Sequence, residues 1–374
     1  MDTLSRAGAL PHHRRALFRS GTGAQSAMKT PSALARVATQ SAAQHCAATV
    51  RNTRQRSARS GRKTLAARHT PMGLPADHSE RLARARRCLD GLSIGDAFGE
   101  RFFADPQTVE VLIQRREVPG PSWAFTDDTV MAISIVDALS DRADIDQDRL
   151  AWLLAARYRL DPTRGYDAMA HRMLGRFIAG EHWFDVAPDA FGGAGSMGNG
   201  GAVRASPIGA YFSDDLARAA EVAIRSAHVT HAHLEGQAGA AAVAVAAAWL
   251  AAGGERAADL FEAVLSYTPR SKTHARIARA AETPLSQDVQ AAVLELGNGS
   301  RALAQDTVPF ALWCAARHLE SFEEALWCTV SGLGDRDTTC AIVGGIVALR
   351  AGATIPPEWE AARESLDRMD RSLL

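Results

Sequence analysis

Two stretches of the chain set oxygen-bearing side chains in a row just before an apolar segment. Thr126, Asp127 and Asp128 precede Val130, Met131, Ile133, Ile135 and Val136, while Asp335, Asp337 and Thr338 precede Ala341, Ile342, Val343, Ile346 and Val347. An Asp or Thr at a helix start has a plain job as a cap for unpaired N–H groups. Capping uses one side chain, whereas each cluster offers three. The segments that follow are apolar around most of their circumference, so their mouths are expected deep in the protein. Converging carboxylates there repel unless they are protonated or shared with cations. Hard divalent ions bind through oxygen ligands, and a two-ion site is the simplest resolution.

Two further stretches hold chemistry-bearing residues. Residues 189–212, "DAFGGAGSMGNGGAVRASPIGAYF", are rich in glycine yet embed Met197, Val203, Ile208 and Tyr211. That mixture suits an ordered loop with positive φ, whose backbone N–H groups can hold an anion, better than a linker. It lacks the Lys-Ser/Thr end of a Walker loop. His228, His231 and His233 crowd one segment, but with no nearby cysteine and no strict H-x-x-x-H pair they argue against zinc.

The elements that must position these residues are helical. "SERLARARRCLDGLSIGDAFG" opens on Ser79 as a cap and places Leu82, Ala85, Cys88, Leu89 and Leu92 at near-helical spacing. The segments "DQDRLAWLLAARYRL", "LARAAEVAIRSAHV", "ERAADLFEAVLSYT" and "TVPFALWCAARHL" carry the same stripe. The run "AGAAAVAVAAAWLAAGG" is dominated by alanine and too weakly apolar to span a bilayer, so it reads as a core helix. Strand-like alternation is scarce. The expected fold is all-α, a single compact domain of ten or more helices over 72–374, with Ala and Gly permitting close contacts.

Of the 42 basic and 42 acidic residues, 13 and 1 fall in residues 1–71, leaving 29 and 41 for the body. An acidic body argues against a dedicated nucleic-acid face and suits cation-binding pockets. The five cysteines have no C-x-x-C spacing, which fits a reduced, cytoplasmic protein with buried thiols. Residues 1–71 are rich in Arg, Ser, Ala and Thr without apolar periodicity, and disorder is expected there. A start set too far upstream, a targeting segment or a functional tail would each account for them. Met72, where organised sequence begins, is favoured as the start.

The sequence resembles the ADP-ribosylglycohydrolase family through four boxes in order: "GLSIGDAFGERF" from Gly91, "FTDDT" from Phe125, "MGNGGAVRASPIGAYF" from Met197 with "HVTHAHLEG" from His228, and "GLGDRDTTCAIVGGIVAL" from Gly332. The resemblance implies an all-α metal-dependent hydrolase that cleaves the glycosidic bond between ADP-ribose and a protein or small-molecule acceptor. It makes Thr126, Asp127, Asp128, Asp335, Asp337 and Thr338 the ligands of two Mg²⁺ or Mn²⁺ ions, with Asp337 bridging. It lays Gly198, Asn199 and Gly200 along the pyrophosphate and distal ribose and turns His231 toward the ligand. Asp96 and Arg204 are expected to cap and brace.

Two departures bear on the chemistry. Relatives often carry a Glu further along the first box, where this chain has Phe103, so Glu100 is the candidate base beside the metal-bound Asp128 and Asp337. Between the last two aspartates, relatives often carry Thr where this chain has Arg336. A non-catalytic ADP-ribose-binding module and another two-metal hydrolase, such as a phosphoesterase, remain competing readings. A monomer with no membrane attachment is expected.

Overall fold

The helical periodicity is realised almost throughout. The computed structural model describes residues 74–370, so the expectations for residues 1–71 lie outside the described residues. Helices follow one another from His78–Glu100 to Pro357–Ala362, with a closing 3₁₀ turn at Leu366–Met369. Among the described residues no strand forms, and extended pairing consists of isolated bridges at Trp123–Arg363 and Gly198–Leu303.

Two local expectations need correction. Ser79 does not cap the first helix, because the helix already includes His78, with Asp77 at the boundary. Residues 189–212 are only partly a loop. Gly192, Gly193 and Gly195 do take positive φ, but the second half winds into two short helices, Gly200–Val203 and Ser206–Tyr211. The N–H groups expected to line a loop therefore open a helix instead.

The alanine-rich run becomes Leu234–Ala251, the helix among the described residues that is long and apolar enough to cross a membrane. It is buried along most of its length, as a helix apolar all round should be when neighbours cover it. Gly209 lets helix 206–211 settle on it, since a Cβ there would stand 1.9 Å from the Ala244 carbonyl oxygen.

A second close contact sets the geometry of the acidic clusters. Gly91, Gly95 and Gly99 recur every four residues and so share one face of helix 78–100. That face lies against helix Arg336–Val347, where added Cβ atoms would come within 2.5 Å of the Gly344, 2.1 Å of the Cys340 and 2.2 Å of the Arg336 carbonyl oxygens. Small residues thus let two backbones touch, bringing Asp96 on the first helix beside Asp337 on the other. Behind them Phe98 stacks on Trp359 with centroids 4.7 Å apart and meets Trp327 edge-on at 5.2 Å. This aromatic cluster ties the end of the first helix to helix Phe322–Ser331 and to the C-terminal segment.

Candidate functional site

Both acidic clusters sit at helix N-termini, as their sequence context requires. Thr126 is the cap of helix Asp127–Arg142, and its hydroxyl accepts from the Asp128 N–H at 3.2 Å. Asp127 and Asp128 occupy the first turn without being needed as caps. At the other helix Asp335 holds the cap position but makes no capping bond. The structural explanation for an acidic helix start therefore accounts for Thr126 and leaves Asp127, Asp128, Asp335 and Asp337 over.

Neutral donors hold these carboxylates in place. Asp96, fully buried, accepts from the Thr126 N–H at 3.0 Å, the Thr129 N–H at 3.0 Å and the Thr129 hydroxyl at 2.5 Å. It clamps the first cluster to helix 78–100, which is the bracing role expected of it. Thr338 donates its hydroxyl to Asp128 at 2.8 Å, joining the two clusters directly. Asn199 donates to Asp335 at 2.7 Å and to Thr307 at 3.0 Å. Its amide nitrogen thus braces Asp335. Among the described residues, none of Asp96, Asp127, Asp128, Asp335 and Asp337 has an Arg or Lys in ion-pair contact. The neighbouring arginines are engaged elsewhere: Arg164 with Glu364 and Asp161, Arg204 with Thr230 and two backbone carbonyls, Arg336 with the Phe102 carbonyl.

The electrostatic consequence is strong. Burial first and the Asp96 charge next push the Asp127 carboxyl up to about 8, and burial alone pushes Asp96 up to about 6 against its hydrogen bonds. Asp128 rises well above the carboxylate range through burial, then through the charges of Asp127 and Asp337. Asp337 rises likewise through burial and then Asp335. Its Oδ1 is buried and has no hydrogen-bond partner. An orphaned carboxylate oxygen among like charges is costly, and an oxygen-rich set of this kind fits a hard divalent cation. Among the described residues no group of three or more His, Cys, Asp or Glu side chains already stands at ligand spacing. A cation here would therefore draw on the threonine hydroxyls and water as well as on the carboxylates.

Glu100 ends the first helix. Its side chain reaches solvent from a crowded position, and its carboxyl is raised by partial burial and then by the Asp96 charge. Arg336 lies with its guanidinium 4.9 Å from the Phe103 ring centroid and donates to the Phe102 carbonyl, so it braces the same mouth.

The glycine-rich box and the histidine meet on the other side. A Cβ on Gly198 would lie 3.2 Å from His231 Nε2, and one on Gly200 would lie 3.5 Å from His231 Cε1. Burial, with the Arg204 charge behind it, lowers His231 to about 3, so the ring is neutral at physiological pH. Its Nδ1 is 2.7 Å from the Thr230 hydroxyl. Fully buried Arg204 donates to Thr230 at 2.8 Å and to the Gly200 and Ser226 carbonyls, tying the box to helix Leu216–His228. The three histidines have separate surroundings: His228 meets Trp183 edge-on and His233 caps helix 234–251.

Several supporting residues were missed by sequence reasoning. The loop 297–302 wraps around Asp306, which accepts from the Arg301 backbone and guanidinium. Gly299, at φ +83°, packs so closely that a Cβ would lie 2.6 Å from Asp335 Cβ. The Gly-Asn-Gly run at 297–299 was the available signal. Tyr166 is buried beside Asp127, and the Arg164 carbonyl accepts the Asp127 N–H at 2.7 Å.

The comparisons agree with this fold. The sequence model of ADP-ribosylglycohydrolase matches residues 77–373. "ADP-ribosylhydrolase ARH3" of Bos taurus is 30% identical over 338 residues, covering 77% of this chain and 91% of that protein. The protein of the same name from Homo sapiens is 29% identical with the same coverage. A solved "ADP-ribosylglycohydrolase-related protein complex" superposes with a TM-score of 0.55 at 25% identity, covering 79% of this chain and 96% of that one. With the match running through both acidic helices and the glycine seam that joins them, the chain belongs to the ADP-ribosylglycohydrolase family, hydrolases of ADP-ribose linkages.

Proposed function

We propose that the chain is a divalent-cation-dependent hydrolase that cleaves the glycosidic bond between ADP-ribose and its acceptor, a protein side chain or a small molecule. The observation that carries this reading is a set of carboxylates, on two facing helix starts, held by neutral donors and left without a cationic side chain. Thr126, Asp127, Asp128, Asp335, Asp337 and Thr338 would hold two Mg²⁺ or Mn²⁺ ions, with Asp337 shared; when bound, such ions orient hydroxyl groups and make water more acidic.

The chain's own residues supply the rest. Asp96, Thr338 and Asn199 fix the carboxylates' positions, so little reorganisation is required when substrate arrives. Glu100 stands at the solvent edge with a raised affinity for protons, which suits it to take one from an attacking water. As the water oxygen bonds to the anomeric carbon, the bond to the acceptor breaks through an oxocarbenium-like state and its electron pair leaves with the acceptor. Neutral His231 can donate to a phosphate oxygen, or donate to or accept from a ribose hydroxyl, without itself changing charge.

The test is a substrate panel. Purified protein with Mg²⁺ is offered ADP-ribosyl-arginine, ADP-ribosyl-serine and p-nitrophenyl phosphate, each with and without EDTA. Release of ADP-ribose that stops on chelation is expected. Hydrolysis of the phosphoester alone would replace this reading with a phosphoesterase, and ADP-ribose binding without turnover on any conjugate would replace it with a binding module.

A further inference from the structure

Helices Ala304–Arg317 and Phe322–Ser331 are joined by the four residues 318–321, so they turn back on each other as a hairpin. Cys314 on the first and Cys328 on the second meet across it, with their sulfurs 3.8 Å apart. Both are free thiols, and neither has a part in the proposed hydrolysis. Their exposure differs: Cys328 keeps 8% of its surface and Cys314 none.

We propose that Cys314 and Cys328 form a hydroperoxide-reactive dithiol, a modification site that closes to an internal disulfide. Cys328 attacks first, being the residue of the pair that keeps some exposed surface. Its thiolate attacks one peroxide oxygen, the O–O bond breaks, and the other oxygen leaves as an alkoxide or hydroxide that takes a proton from water. Cys328 is then a sulfenic acid, oxidised by two electrons, and the peroxide is reduced to an alcohol or water. Cys314 sulfur next attacks Cys328 sulfur; the S–O bond breaks, the Cys314 proton leaves with that oxygen as water, and the S–S bond forms.

The surroundings favour this order. The Cys314 hydrogen bond, then His318 and the Arg317 charge, lower the Cys328 thiol against its burial, which favours its thiolate over that of Cys314. Burial raises Cys314, which keeps its proton as the resolving partner. The other cysteines among the described residues are fully buried, Cys88 pushed up to about 12 and Cys340 raised as well. Closing to a bond of about 2.05 Å requires the sulfurs to approach by a little under 2 Å, within reach of small side-chain and helix shifts.

The experiment is a peptide map. The full-length protein is treated with hydrogen peroxide, its remaining thiols are alkylated, and it is digested with trypsin without reduction. Residues 302–317 carry Cys314 and residues 318–336 carry Cys328, so the expected product is these two peptides joined, lighter by two hydrogens and separated by dithiothreitol. In Cys314→Ser the sulfenic acid on Cys328 should accumulate and be trapped by dimedone. The proposal is overturned if both peptides return singly and alkylated, or if Cys46, Cys88 or Cys340 is oxidised before them. The wild-type map decides this even if the variant fails to fold.

Discussion

Replacing Gly95 with alanine tests whether the helix seam positions the two acidic clusters. The new Cβ would stand 2.1 Å from the Cys340 carbonyl oxygen and 2.7 Å from its carbon, where ordinary contact begins at 3.4 Å. Both are backbone atoms that cannot swing aside, so the helices must part by about 1 Å. Overpacking of this kind costs about 1–3 kcal/mol, and the upper end applies because Gly91 and Gly99 hold the same helices together on either side. Alanine's better helix propensity returns about 1 kcal/mol, leaving a net loss of about 2 kcal/mol. For a domain of this size, about 300 residues, that lowers the unfolding midpoint by about 3 °C. Turnover should fall further than stability, by about 10²-fold, because Asp96 and Asp337 flank the contact and catalytic geometry tolerates little displacement. Gly175→Ala is the matched control. It lies in helix Ala168–Ile178 with no atom within 4 Å of the added Cβ, and should stabilise by up to about 1 kcal/mol. Thermal melts and ADP-ribose release for both variants decide the matter. If Gly95→Ala melts and turns over like the wild type, the seam does not set the site.

The remaining predictions concern charge. Asp96 and Asp127 rise from 3.8 to about 6 and about 8, so between pH 4 and 8 the folded state binds more protons than the unfolded chain, and stability in EDTA should fall as pH rises through that window. Thermal melts should show Mg²⁺ or Mn²⁺ raising the midpoint more at pH 8 than at pH 5; an EDTA midpoint that climbs with pH would refute the carboxylate assignment. Asp337→Asn removes one of the mutually repelling charges, so the chelated protein should melt no lower than wild type while the metal-induced rise and turnover collapse; calorimetric metal titration at wild-type stoichiometry would defeat the shared-ligand role. Glu100→Gln should keep the metal-induced rise and lose about 10²–10⁴ in turnover, whereas unchanged turnover would move the base to one of the aspartates.

The parts of the site that were legible in the sequence are those whose meaning is local. An acid followed by an apolar run fixes both a helix start and its depth, which is why Thr126 through Asp128 and Asp335 through Thr338 could be singled out. Glycines four apart announce a close contact, but nothing local says that the partner of Gly91, Gly95 and Gly99 is helix 336–347. Asn199 illustrates the limit: its place in a glycine-rich box suggests ligand, and only the long-range approach of Asp335 and Thr307 shows where its amide goes. The same holds for Glu364, which accepts from the Phe125 N–H and pairs with Arg164 to hold the strand-like entry to the first cluster.

These long-range partners have a common character that bears on function. The aspartates are held by threonine hydroxyls, an asparagine amide and backbone N–H groups, all neutral, while Arg204 and Arg336 feel the charges of Asp128 and Asp337 and bond elsewhere. Arg204 is a case in point: it is fully buried and feels the Asp128 charge, yet it bonds to Thr230 and backbone carbonyls instead. An Arg in contact with Asp128 would have neutralised the carboxylate and stabilised the empty fold. Holding the carboxylates with neutral donors fixes their positions while leaving their charge uncompensated, and the orphaned Asp337 Oδ1 shows the cost of doing so. A fold selected only for stability has no reason to accept that cost. The cation site proposed for these carboxylates would account for it.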